Sequence, residues 1–256
     1  MPARTRLDQL ILARGLVASR AQAQALLLAG RVRVGEGTGA RRDRKPGDLV
    51  AADTPVTLDQ PPPYVSRGGQ KLAGALDAFG VDPRDRVCLD VGASTGGFTD
   101  CLLQRGARHV YALDVGRGQL AEALRADPRV TSMERTHARR LDPADPEAIR
   151  LPEPITLVVA DVSFISLTRL LAGMVAQVVP GGELVVLVKP QFESRPEDVP
   201  KGVVRDAAVR AAAVERVAAA ARALGLEVSG EAVSGLPGPA GNIETFLHLR
   251  RSPVTA

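Results

Sequence analysis

Five charged residues close predicted strands in this chain: Asp90, Asp114, Glu134, Asp161 and Lys189. Ligands of open α/β sheets bind at the carboxyl ends of the strands, so this clustering points to a site. Beside it lies the stretch DVGASTGGFT, Asp90 to Thr99, in which Gly92, Gly96 and Gly97 permit a sharp turn and close backbone approach. The helix that follows presents free N–H groups. The turn GASTGG is not the GxGxxG of dinucleotide binders, and an acid ending the first strand sits poorly beside a pyrophosphate. A cationic, phosphate-free ligand suits it better. S-adenosylmethionine carries a sulfonium and an ammonium group, and Asp114, 22 residues after Gly92, is placed to accept from ribose hydroxyls. NAD and a bare structural glycine turn are the alternatives. Lys189, Asp161, Glu244 at the start of the last strand, and Lys71 on an earlier helix are of the types that transfer to a hydroxyl requires. Such a transfer needs a base for the departing proton or a cation for the developing alkoxide. Lys189 serves as base if neutral and as alkoxide stabiliser if charged, and the sequence leaves both open.

The elements that must hold these residues alternate as in a doubly wound sheet. The spacing predicts a strand over Arg86–Asp90 and a helix from about Phe98. Further strands are HVYALD, VTSME, ITLVVAD, ELVVLVK, EVSGEAV and ETFLHL. Helices fall between them, including Asp206–Leu224 with Val214 and Val217 inward. Lys71 lies in Val65–Gly80, where SRGG precedes a helix with Leu72, Ala75, Leu76 and Phe79 on one face; a surface lysine is the ordinary reading there. The polar, proline-broken segment PQFESRPEDVPKGVVRD after Lys189 is expected as a loop beside the site, serving as a substrate-side lid or RNA contact.

The first 60 residues are a separate basic module, with ten Arg or Lys against six acids, an excess equal to the net +4 of the whole chain. That excess suggests a phosphate-rich partner. Two short helices, Arg6–Arg14 and Ala21–Ala29, are followed by strands within RVRV and from KPGDLVAA to about Leu58. Ser19 and Gln22 fit a capping box. With 3% aromatic residues, and none before Tyr64, base stacking is an unfavourable grip for this module. QPPPY forms a stiff linker. Cys88 and Cys101 are expected as reduced packing residues, and the three histidines are too scattered for a zinc site. No apolar run reaches membrane-spanning length and the N-terminus lacks a signal-peptide core, so a cytosolic protein is expected.

The string RLDQLILARGLVASRAQAQALLLAGRVRVGEGT, followed by KPGD, resembles an S4 domain, the small RNA-binding module of ribosomal protein S4. The resemblance implies RNA contact by Arg6, Arg20, Arg31 and Arg33, to which Arg67 of SRGG is added. Lys71, Asp161, Lys189 and Glu244, in this order, resemble the K-D-K-E tetrad of FtsJ-type RNA 2′-O-methyltransferases. With YVSRGGQKLAGAL, LDVGASTGGFTD, DVGRGQL, DVSFISL, LVKPQFE and GNIE, the pattern from about Arg6 to Leu249 is similar to the TlyA family, often labelled hemolysin A. The fold this implies is α/β: a Rossmann-like class I methyltransferase sheet with helices on both faces, preceded by a small α+β S4 RNA-binding domain. The implied division is an S4 domain at 1–59, a linker at 60–66 and the methyltransferase domain at 67–256.

The resemblance further implies 2′-O-methylation of cytidine in ribosomal RNA, with the tetrad as catalytic residues, no metal and no membrane. S-adenosylmethionine would meet Asp90, Gly92, Ser94, Thr95, Gly96, Gly97, Phe98, Asp114, Val115 and Asp161. His137 in ERTHAR stands where ERTN is expected, which leaves an adenine-side contact open. Ribosomal subunits are the implied partners and a monomer is favoured. The alternatives are a catalytically inactive ribosome-assembly factor and a pore-forming hemolysin; no barrel pattern supports the latter.

Overall fold

The computed structural model describes residues 4–59 and 62–253. The chain divides into two units, residues 1–62 and 63–256. The smaller contains β1 (Arg4–Arg6), α1 (Leu7–Ala13), α2 (Arg20–Leu28), β2 (Val32–Val34), β3 (Leu49–Ala51) and β4 (Val56–Leu58). β1 pairs antiparallel with β3, and β2 with β4. α1 matches the expected helix Arg6–Arg14 to within one residue at each end, and β1 ahead of it is unexpected, because its partner Leu49–Ala51 lies more than forty residues away and leaves no local signal. Ser19 Oγ accepts from Gln22 N at 3.2 Å, while Gln22 Oε1 accepts from Ala18 N at 3.0 Å, one residue ahead of a standard capping box. Leu7, Ile11, Ala23, Leu27 and Val32 form the core of this unit.

The larger unit contains α3 (Arg67–Phe79), β5 (Val87–Val91), α4 (Gly97–Gln104), β6 (His109–Leu113), α5 (Glu122–Arg125) and β7 (Val130–Met133). After these come β8 (Ile155–Ala160), α6 (Leu171–Gln177), β9 (Val178–Val188), α7 (Pro190–Glu193), α8 (Ala207–Ala223), β10 (Leu226–Val233) and β11 (Thr245–Arg251). The seven strands run β10-β11-β9-β8-β5-β6-β7. The five from β9 to β7 are parallel, and β11 lies antiparallel between β9 and β10. Strand order reverses at β5, which has β6 on one side and β8 on the other. That reversal opens the crevice in which ligands of such sheets bind.

Strand alternation sorts the core into two layers. Val87, Leu89 and Val91 of β5 pack with Met174 of α6 and Val217 of α8. Cys88, on the other face, packs with Leu72 and Leu76 of α3 and Phe98 and Leu102 of α4. Both cysteines are free and buried, and desolvation pushes the Cys88 thiol up to about 12.

Of the expected linker 60–66, Gln60 and Pro61 lie outside the described residues. Its remaining end packs with the larger unit: Val65 N donates to Asp100 Oδ2 at 2.8 Å, and Ser66 caps α3 by accepting from Gly68 N at 3.3 Å. The segment after Lys189, expected as a loop, contains α7 and two short 3-10 turns. Asn242 ties it down, accepting from Val204 N at 2.9 Å and donating to Gly202 O at 2.8 Å. Among the described residues no helix is long and apolar enough to cross a membrane.

Candidate active site

The β5–α4 turn is shaped by a contact only glycine permits. Gly92 has φ +86°, and a Cβ there would lie 2.7 Å from the Asp161 carbonyl oxygen at the end of β8. At the far end of the turn, a Cβ on Gly97 would lie 2.2 Å from Ser66 Oγ, so the first turns of α3 and α4 touch. This contact brings Arg67 and Lys71 of α3 to the mouth of the sheet.

Two cavities flank the turn. The first, of about 300 Å³, is lined by Arg67, Lys71, Gly92, Ser94, Thr95, Gly97, Phe98, Asp161, Ser163, Lys189, Pro239 and Glu244 among others. All four tetrad residues therefore face one space, as two ion pairs. Lys71 Nζ lies 2.5 Å from Glu244 Oε2, with the lysine side chain 7% exposed and the glutamate fully buried. Burial on that scale sets aside the surface reading that Lys71 invites when taken alone. Lys189 Nζ lies 2.6 Å from Asp161 Oδ1, a charge contact without hydrogen-bond alignment, and donates to Ser163 Oγ at 2.8 Å. The second cavity, of about 610 Å³, is lined by Gly92, Ser94, Asp114, Val115, Gln119, His137, Asp161, Ser163, Phe164 and Arg169 among others. Volumes of 300–1,000 Å³ are those of small-molecule sites. Gly92, Ser94, Asp161 and Ser163 belong to both walls, so the two spaces meet at the turn.

Asp114 Oδ2 accepts from Ser94 N at 2.8 Å and its Oδ1 from Gly116 N at 2.7 Å, which orients the carboxylate at the cavity wall. Of the other expected donor contacts, Thr95, Gly97 and Phe98 line only the first cavity, and two stand outside both. Asp90 lines neither cavity: it pairs with Ala112 and Val159, two residues before Asp114 and Asp161, and so lies deeper in the sheet, fully buried, where its Oδ2 accepts from Thr99 Oγ1 at 2.7 Å. Desolvation pushes its carboxyl up to about 7, and its Oδ1 has no partner. Gly96 also lines neither cavity; a Cβ there would lie 2.3 Å from Leu124 Cδ1, so this glycine serves packing against α5. His137 Nδ1 accepts from Arg139 N at 3.1 Å, and the residue lines the second cavity. The residues present fit S-adenosylmethionine on two observations: the Gly92 cradle that a Cβ would fill, and the carboxylates of Asp114 and Asp161 beside it.

Sequence reasoning missed Ser163, Pro239, Gln119 and Phe164. Phe164 has φ +66°, is 91% exposed and lies 5.3 Å from the Phe192 ring. Among these only Ser163 and Phe164 had a local clue, their place just after the strand-ending Asp161. Residues 191–206 line neither cavity, and Pro239 and Glu244 complete the wall of the first.

In the smaller unit, Arg6 and Arg20 are not free cations. The fully buried Asp8 carboxylate accepts from Arg6 Nε and Nη2, each at 3.1 Å, and from Arg20 Nε and Gln24 Nε2, each at 2.9 Å. The Arg6 guanidinium holds the Asp8 carboxyl far below the usual carboxylate range. Arg33 projects outward from β2, and Arg31 is half-buried.

The FtsJ-like methyltransferase profile matches residues 64–251, and the S4 domain profile matches residues 5–37. The chain is 49% identical to the 16S/23S rRNA (cytidine-2′-O)-methyltransferase TlyA of Mycobacterium tuberculosis, over 98% of this chain and 91% of that protein. It is 38% identical to Hemolysin A of Brachyspira hyodysenteriae, over 95% of this chain and 99% of that one. A solved chain from Streptococcus thermophilus, described as a candidate hemolysin, is 41% identical with a TM-score of 0.71, covering 99% of this chain and 91% of that one.

Proposed function

The chain belongs to the FtsJ-like methyltransferase family, with an S4 domain ahead of the methyltransferase domain, and from that membership we propose that it transfers a methyl group from S-adenosylmethionine to the 2′-hydroxyl of a cytidine ribose in ribosomal RNA. One observation carries the assignment of residues: two lysine–carboxylate pairs from four separate elements converge on one cavity that shares a wall with the methyl-donor cavity.

S-adenosylmethionine supplies an electrophilic methyl carbon. The protein's work is to align an acceptor oxygen with it and to manage the charge that develops there. Asp114 and Gly92 would hold the donor, with Ser94 and Val115 beside them. Lys189 would stand against the ribose hydroxyl, its ammonium oriented by Ser163 and Asp161 and stabilising the alkoxide as the hydroxyl proton passes to solvent and the oxygen takes the methyl group from the sulfonium. Lys71 and Glu244, buried against each other, would form the rigid, charge-compensated wall opposite. Arg67, exposed at the same mouth, and Arg6, Arg20, Arg31 and Arg33 of the smaller unit would contact RNA phosphates.

The test is methyl incorporation into ribosomal RNA from labelled donor, with mapping of the modified positions. Lys189→Ala should abolish incorporation while S-adenosylhomocysteine still binds through Asp114 and Gly92, and Lys189→Arg, which preserves the charge, should retain part of the rate. Full methylation by Lys189→Ala would refute the assignment, and a dead Lys189→Arg would favour the base role.

A further inference from the structure

We propose that Glu193 is a positioning residue for the transfer site: it clamps the far end of the loop whose near end Lys189 holds, and so fixes Ser163 against the lysine. The inference rests on the role proposed above for Lys189. The loop runs from Asp161 to Ser166, between β8 and a short 3-10 turn at Leu167–Arg169. Its residues Ser163 and Phe164 line the donor cavity, and Ser163 lines the acceptor cavity as well. At its centre Phe164 adopts φ +66°. A non-glycine residue in the left-handed region is disfavoured, and such a conformation persists where the flanks are held.

Both flanks are held by one five-residue segment. Lys189 Nζ donates to Ser163 Oγ at 2.8 Å and lies against Asp161. Glu193, 3% exposed, accepts from Ser166 Oγ at 2.6 Å and from Leu167 N at 2.7 Å. Among the described residues no cation pairs with its carboxylate. Both of its oxygens are committed to this loop. The Arg216 guanidinium of α8 donates to the Glu193 carbonyl, so the clamp is anchored from behind. A buried carboxylate without a direct ion pair is costly, the charge of Arg216 offsets only part of that cost, and the side-chain hydrogen bonds of Glu193 all serve the loop between the cavities.

The experiment compares Glu193→Ala with Glu193→Gln. A glutamine can keep both contacts, its carbonyl accepting from Leu167 N and its amide donating to Ser166 Oγ, whose own proton then turns to Thr168 Oγ1, 2.7 Å away. Glu193→Ala should lower kcat for rRNA methylation by roughly 10- to 100-fold, the scale of a misplaced reacting group. Its KM for RNA should stay within about twofold, and its S-adenosylhomocysteine affinity should fall. Glu193→Gln should restore both kcat and affinity. A Glu193→Ala protein with lower thermal stability but unchanged kcat and unchanged affinity would overturn the proposal, as would a Glu193→Gln protein as impaired as Glu193→Ala. Should Glu193→Ala not fold, Ser166→Ala removes one of the two contacts and should shift kcat and affinity in the same direction; unchanged values would overturn the proposal equally. Full methylation by Lys189→Ala would refute the role of Lys189 alone, and the affinity comparison between the two Glu193 variants would still judge the clamp.

Discussion

Replacing Asp8 by asparagine separates two ways in which a basic module can attract RNA. The wild-type carboxylate takes four donors from Arg6, Arg20 and Gln24. Asparagine offers one acceptor oxygen and turns an N–H₂ toward the guanidinium groups, so about two charge-assisted bonds are lost. Such bonds contribute roughly 1.5–3 kcal/mol each. The arginine side chains are 41% and 46% exposed, and solvent screening reduces the net loss to about 2 kcal/mol. For a unit near 60 residues this lowers the melting temperature by about 8–16 °C. The folded carboxyl lies far below its unfolded value of about 3.9, so its stabilisation is complete above about pH 5 and fades as pH falls through that unfolded value. Thermal unfolding of the two proteins should therefore differ at pH 7 and converge toward pH 2. A difference as large at pH 2 as at pH 7 would refute the carboxylate as its source. The substitution also removes a negative charge from a chain of net +4. Coulomb attraction alone would then tighten RNA binding. If Asp8 instead orders Arg6 and Arg20 as phosphate contacts, affinity for ribosomal RNA falls, and the fall disappears in an Arg6→Ala/Arg20→Ala background. Filter binding well below both melting temperatures reads the sign, and tighter binding would refute the ordering argument.

Gly92→Ala should abolish donor binding by calorimetry and lower stability in denaturant titration, because the added methyl meets the Asp161 carbonyl at a positive-φ position. Asp90→Asn should stabilise the protein at pH 8 by no more than about 4 kcal/mol. Burial raises the folded Asp90 carboxyl to about 7, so wild type loses stability as pH rises from its unfolded value through 7. The advantage of the variant should vanish toward pH 4, and a pH-independent difference would count against the buried carboxyl as its cause.

The parallel strands and their order along the chain are legible because each is a run of β-branched and aliphatic residues ended by a charge, as ITLVVAD and ELVVLVK show. Asp161, Lys189 and Asp114 reach the cavities because strand ends in this fold do so by topology. Asp90 carries the same sequence signal and shares their face, yet it pairs with Ala112 and Val159, two residues before Asp114 and Asp161, and so is buried one pleat deeper in the sheet. The register between neighbouring strands decides that depth, and no strand's own sequence reports it.

What the sequence by itself determined is the local grammar: basic module, proline break, glycine turn, and acids and lysines at strand ends. Those features follow from the chain's own periodicity and from backbone freedom at particular residues. Only the tertiary structure decided partnership. Lys71 and Glu244 are 173 residues apart, and Arg6 and Arg20 differ from surface arginines only through the carboxylate they share. Whether a charged side chain is a free contact, half of a buried pair or a clamp on a neighbouring loop depends on what folding brings within about 3 Å of it. That distance is set by packing between elements far apart in the chain, which no local spacing encodes.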